Sequence, residues 1–207
     1  MRSLAINNLG KISHSDADEL MRSMQSKRID DEIIDTLLIC EHDEIVTVGP
    51  RARNDGISPP EDYVTSPVDR GGGLTWHGPG QLVVYPIFKW NLEGESNVKA
   101  IIAILEQWVI DALANNGING RRDERMQGVW IGENKVCSIG LSFLRWTSRH
   151  GLTINCNTPP GRVEMVSGCG LGQETTTSLH ALGFDISTQT ILESLLSNTS
   201  ALSRKIV

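Results

Sequence analysis

The densest run of chemistry-bearing residue types is RGGGLTWHGPGQ, residues 70–81. Gly71, Gly72, Gly73, Gly78 and Gly80 leave its main chain without a Cβ shield, so another molecule can lie directly against it. Arg70, Trp76, His77 and Pro79 interleave stiff and polar groups with that permissive backbone. The mixture suits a ligand cradle; a plain surface turn is the competing reading, because glycine clusters often mark turns. A phosphate loop is excluded, since no GK[ST] ending and no helical pattern follows. A dinucleotide GxGxxG is excluded too, because the next residues read as a strand. The other reactive types are the thiols Cys40, Cys137, Cys156 and Cys169, no two of them in a CxxC spacing. A zinc knuckle or a dithiol redox pair is therefore not expected, and a free cysteine is by default a small buried hydrophobe.

These residues need a scaffold, and its elements are legible as hydrophobic periods. Ala17, Leu20, Met21 and Met24 repeat at helical spacing and predict a helix over 16–28. Val98, Ile101, Ile102, Leu105, Val109, Ala112 and Leu113 form one apolar stripe, predicting a helix over 97–116 that stops at Gly117. Shorter helices are expected near 174–182 and 188–196. Strands are expected over 36–40, 45–48, 81–88, 128–131, 135–146 and 149–157, with a loop over 49–60. The strand at 81–88 is expected to end or bulge at Pro86. Successive strands with short turns imply antiparallel pairing, with the helices covering one face. The fold class is α+β, a largely antiparallel or mixed sheet flanked by helices, in a single domain over 1–207.

Composition narrows the function. With 19 basic and 25 acidic residues the net charge is −6, unlike the basic stripe of a general nucleic-acid binder. No apolar run approaches the ~20 residues needed to span a membrane. No secretory pattern opens the chain, so a cytoplasmic location is expected.

The segment 70–81, read as RGG-x-x-T-x-HGPGQ, resembles the signature of the lipoyl(octanoyl) transferases. The resemblance continues through GVWIGENKVCSIGLSF (128–143), RHGLTINCNT (149–158) and SGCGLGQETTTSL (167–179). Four motifs in the same order span nearly the whole chain, which makes the match specific. Trp76 stands where tyrosine is common, and Ser167-Gly168 stand before Cys169 where the family usually has a proline. The resemblance implies the catalytic-domain fold of biotin and lipoate protein ligases. It also implies transfer of an octanoyl group from acyl carrier protein to a lysine of a lipoyl domain. Acceptors would be the E2 subunits of 2-oxoacid dehydrogenases and the glycine cleavage H protein. No cofactor, metal, nucleic acid or membrane is implied.

The same resemblance carries the acyl-thioester nucleophile to Cys169 and its basic partner to Lys135. It carries the acyl-site lining to Arg70, Gly71, Gly72, Gly73, Leu74, Thr75, Trp76 and His77, to Ser138, Ile139 and Gly140, and to Gly151, Leu152 and Thr153. A nearby ammonium would stabilise the thiolate, and flanking Gly168 and Gly170 leave the sulfur open to substrate. The helix expected near 174–182 would add its positive end. Two positions from Lys135, Cys137 should share its face of the strand and serve as wall, while Cys156 joins Leu152 and Ile154 in the core. His77 and His150 read as hydrogen-bonded structural groups, and Arg70 as holding either its own loop or a carrier phosphate. Arg121, Arg122 and Arg125, and separately Arg145 and Arg149, are the compact basic groups available to an acidic carrier. The rival readings are an ATP-dependent lipoate or octanoate ligase and a non-catalytic acyl- or carrier-binding protein of the same fold.

Overall fold

The apolar tract at 36–40 is buried on both of its faces, and the chain is layered around it. The computed structural model describes residues 1–166 and 175–207. In chain order the elements are β1 (Arg2–Lys11), α1 (His14–Ile29), β2 (Asp35–Glu41), β3 (Ile45–Val48), α2 (Pro50–Asn54), β4 (Thr65–Pro67) and β5 (Leu74–His77). There follow β6 (Gln81–Ile87), α3 (Val98–Ala114), β7 (Gly128–Ile131), β8 (Asn134–Leu144), β9 (Thr147–Asn155), α4 (Thr188–Ser197), a 3-10 turn (Thr199–Leu202) and β10 (Arg204–Ile206). Among the described residues, seven strands form one sheet in the order β10-β1-β2-β6-β9-β8-β7, and β4-β3-β5 form a small second sheet. The central ladder β2-β6-β9-β8-β7 is antiparallel. Parallel pairs at β10-β1, β1-β2 and β3-β4 make the whole mixed.

Both faces of the large sheet are covered, not one as expected. Leu37 and Ile39 point with Leu82, Val84, Leu152 and Ile154 into the main core, which α3 and α4 close with Ile101, Leu105, Val109 and Leu195. Leu38 and Cys40 point the other way, with Val83, Tyr85 and Ile87, against Ala17 and Met21 of α1. A strand buried on both sides has to be apolar at every position, and the tract TLLIC is. Ser13 caps α1 and Asn97 caps α3, each accepting from a main-chain N–H of the first turn.

Several elements depart from the expected plan. The described part of the helix expected near 174–182 is not helical: Thr176 forms a bridge to Lys135, and 179–183 is a series of turns. Strands β1, β4, β5 and β10 and the short helix α2 arise where no strand or helix pattern stands out. Pairing of β6 with β9 stops at Val84, two residues before Pro86, which keeps the missing N–H out of that ladder.

Candidate active site

The side of β8 and β9 facing away from the main core carries Ser138, Gly140, Gly151 and Thr153, all small. Gly140 and Gly151 are cross-strand partners. The glycine-rich segment lies across them: Gly71 N–H donates to Leu141 O at 2.9 Å, anchoring the segment on β8 beyond the reach of short β7. Space is the reason for glycine at both strand positions. A Cβ on Gly140 would come 2.8 Å from Gly71 O, and one on Gly151 would come 2.2 Å from Val84 O.

Between these layers lies a cavity of ≈390 Å³. Arg70, Gly71, Gly72, Gly73, Leu74, Thr75 and His77 line one side; Ser138, Ile139, Gly140, Gly151, Leu152 and Thr153 line the other, with Lys135 among them. The start of α3 adds apolar Val98 and Ile102, while His14, Tyr85 and His150 add a polar end. Trp76 is absent from this lining. It is buried on β5 against Val163 and Val166, its indole N–H donates to Glu44 Oε1 at 3.0 Å, and it borders a small adjoining recess.

Lys135 is 5 % exposed, far from the solvated charge that a lysine after a tight turn usually is. Its main chain is held on one side by β7 and on the other by the segment following the undescribed residues: its N–H donates to Thr175 O at 2.8 Å, and its carbonyl accepts from Thr177 N–H at 2.9 Å. Nζ contacts Met126 Sδ at 2.9 Å. The β7-β8 register shifts between Val129 and Trp130, so Cys137 faces Val129 while Lys135 faces Trp130. That bulge at Val136 overturns the expected alternation. Lys135 and Ser138 border the same two hollows, whereas Cys137 is fully buried in the main core. Burial pushes the Cys137 thiol up to about 12, and those of Cys40 and Cys156 likewise. Cys169 lies outside the described residues, as do Ser167, Gly168 and Gly170.

Arg70 is buried and donates to Thr47 O, Gly71 O and Gly73 O and to Thr47 Oγ1. Of the two roles considered for it, these bonds supply the loop-holding one. The clustered arginines are engaged by acids: Arg121 and Arg125 with Asp123 and Glu133, and Arg122 with Glu106. Arg149 is buried and paired with Asp69 and Asp18, so it is no surface docking group. Arg145 is exposed at the β8-β9 hairpin tip.

Four of the five histidines pack around one end of the cavity, which the sequence did not announce. His14, His42 and His77 lie 5.4–5.8 Å apart by ring centroid, and Tyr85 stands between His42 and His150. Burial lowers all four; His14 and His150 fall to about 4. They are neutral at pH 7. His150 has a φ of 58°, which turns its ring toward Asp69 and α1 and away from the core face that strand alternation would give it. Among the described residues no group of three or more His, Cys, Asp or Glu is arranged to hold a metal ion.

The profile of the lipoyl protein ligase A/B catalytic domain matches residues 16–200. An octanoyltransferase of Syntrophobacter fumaroxidans is 36 % identical over 194 residues, covering 90 % of this chain and 85 % of the relative. One of Rubrobacter xylanophilus is 39 % identical over 178 residues, covering 82 % and 79 %. The bi-partite lipoate protein ligase of Thermoplasma acidophilum, solved in work on an archaeal lipoylation system, superposes with a TM-score of 0.70 at 14 % identity, covering 100 % of this chain and 86 % of that one. The chain therefore belongs to the lipoyl protein ligase A/B catalytic-domain family and, within it, to the octanoyltransferases. Its fold is the ligase catalytic-domain fold that the resemblance implied.

Proposed function

We propose that this enzyme moves an octanoyl group from acyl carrier protein to a lysine of lipoyl domains, through a thioester on Cys169, with Lys135 carrying the protons. The observation that bears most on this reading is the buried Lys135 in the wall of a partly apolar cavity. Described residues on both sides of Cys169 border the recess that Lys135 lines: Val166, three residues before it, and Thr176, seven after.

In the first half-reaction the Cys169 thiolate attacks the thioester carbonyl, and the carrier's pantetheine thiolate leaves and takes a proton from Lys135. In the second, the acceptor lysine amine attacks the enzyme thioester, loses its proton to Lys135 and leaves as an amide, regenerating the thiolate. Thioester exchange is nearly level in free energy and amide formation is downhill, so the atoms and energies balance without a nucleotide. Six methylenes at ~0.8 kcal/mol each give an octanoyl tail up to about 5 kcal/mol of binding in a dry slot. The cavity lies at the small end of the ~300–1,000 Å³ usual for ligand pockets. Main-chain N–H groups of Gly168–Leu171 or of Ser138–Gly140 are the candidate donors to the developing oxyanion.

The test is mass spectrometry of the intact enzyme after mixing with octanoyl-carrier. One octanoyl adduct on Cys169, discharged by a lipoyl domain and absent in Cys169→Ala, is expected; Lys135→Ala should slow both half-reactions at least 100-fold. Adduct formation on Cys137, or transfer from free octanoate that requires ATP, would refute it.

A further inference from the structure

We propose that Gln81 and Asn155 are positioning residues for this reaction, forming a buried amide relay that joins His77 on the cavity wall to the main chain bracketing Lys135; this rests on the role given to Lys135 above. The two are cross-strand partners on β6 and β9, 1 % and 2 % exposed. Gln81 Nε2 donates to Trp76 O and to Asn155 Oδ1, both at 2.8 Å. Asn155 Nδ2 donates to Thr177 O at 3.0 Å, and Thr177 N–H donates to Lys135 O. At the other end Gln81 Oε1 lies 2.9 Å from His77 Nδ1.

The orientation of every group follows from the ends. Trp76 O and Thr177 O are carbonyls and only accept, so each amide must turn its NH2 toward its carbonyl. Gln81 then has only an acceptor left for His77, and the ring must carry its proton on Nδ1. His77 is thereby held as one tautomer, with the Nε2 lone pair 3.3 Å from Thr47 Oγ1, the hydroxyl that Arg70 grips at 2.7 Å. The same chain sets the position of Thr177. One side of Lys135 is paired not with a strand of the large sheet but with 175–177, and Asn155 is the side chain from that sheet that holds this segment's carbonyl. A shift there displaces the main chain on both sides of Lys135, and so the point from which its side chain is aimed into the cavity.

The relay predicts a split in kinetics and a spectroscopic signature. In 15N NMR of the full chain, His77 (assigned with His77→Gln) shows the Nδ1–H tautomer, and Gln81→Ala abolishes that preference. Asn155→Ala, and isosteric Asn155→Asp should the first fail to fold, lower kcat with octanoyl pantetheine at least 10-fold at unchanged KM. An Nε2–H tautomer in the unaltered protein, or wild-type kcat in a folded Asn155 variant, would overturn the proposal. If Lys135→Ala itself transfers at the normal rate, the reaction assignment fails instead, while the tautomer result stands on its own.

Discussion

Side chains one or two positions apart have opposite fates here, and chemistry follows from burial rather than residue type. Lys135 and Cys137 share a motif, yet a single-residue bulge turns one to the cavity and the other into the core. Burial, which pushes its thiol up to about 12, keeps Cys137 protonated at neutral pH and disfavours it as a nucleophile. Cys137→Ala is expected to leave octanoyl transfer within about twofold of normal, while costing about 1–2 kcal/mol of stability from the small void left behind. Steady-state rates and a urea midpoint read the two effects separately. Gly80 shows the opposite constraint. Its φ of 77° and its approach to the Asn157 carbonyl exclude a Cβ, so this glycine of the HGPG run is required by backbone geometry before any ligand is considered.

At the scale of elements, α1 and the β8-β9 hairpin each carry an unusual burden. His14 at the start of α1 and His150 on β9 are depressed chiefly by burial, to about 4 against an ordinary 6.5. Between those values the unfolded chain binds more protons than the folded one, so stability is complete above pH 6.5 and is lost as pH falls toward 4. Each of the two accounts for on the order of 2–3 kcal/mol across that window. Urea midpoints measured from pH 7.5 to 4.5 should therefore fall, and His14→Gln should flatten the dependence. The hairpin turns through Arg145 and Trp146, with φ of 47° and 57°, a conformation that favours Asn-Gly. Trp146 is nearly half exposed, its ring edge-on to Phe143 at 6.0 Å. Replacing the pair with Asn-Gly is expected to stabilise the fold by about 1 kcal/mol, read as a higher melting temperature.

Across the whole molecule, the last strand is locked to early elements of the chain by buried charge. Arg204 on β10 is fully buried, donating to Asp35 Oδ2 at 2.7 Å and to Glu95 Oε1 at 2.6 Å, with its guanidinium over Phe88 and Trp90. Asp35 also accepts from Arg28 at the end of α1. One carboxylate thus ties the last strand, the second strand and the first helix. Arg204→Met removes the cation and strands Glu95 in the interior, for an expected loss of about 3–5 kcal/mol in chemical denaturation. Octanoyl transfer by the surviving folded fraction should be unchanged, because the network lies outside the cavity lining. Among the described residues no helix is long and apolar enough to cross a membrane.

Helical and strand periods, and the order of four motifs, were determined by local sequence: α1, α3, β2, β3 and β6 to β9 stand within a few residues of where hydrophobic spacing puts them. Those signals are local because each element buries its own apolar stripe. Strands β1 and β10 were not legible, since edge and near-edge strands alternate weakly and Arg204 reads as a surface charge until Asp35 and Glu95 are seen around it. Nor was the histidine cluster, whose members at 14, 42, 77 and 150 come from α1, the end of β2, β5 and β9 and meet only in the folded chain. The face on which Lys135 lies depended on a bulge, and period-two counting assumes there is none. Tertiary structure decided these points because a register shift, a buried ion pair and a meeting of distant rings are set by contacts between segments, to which no single stretch of chain carries a signal.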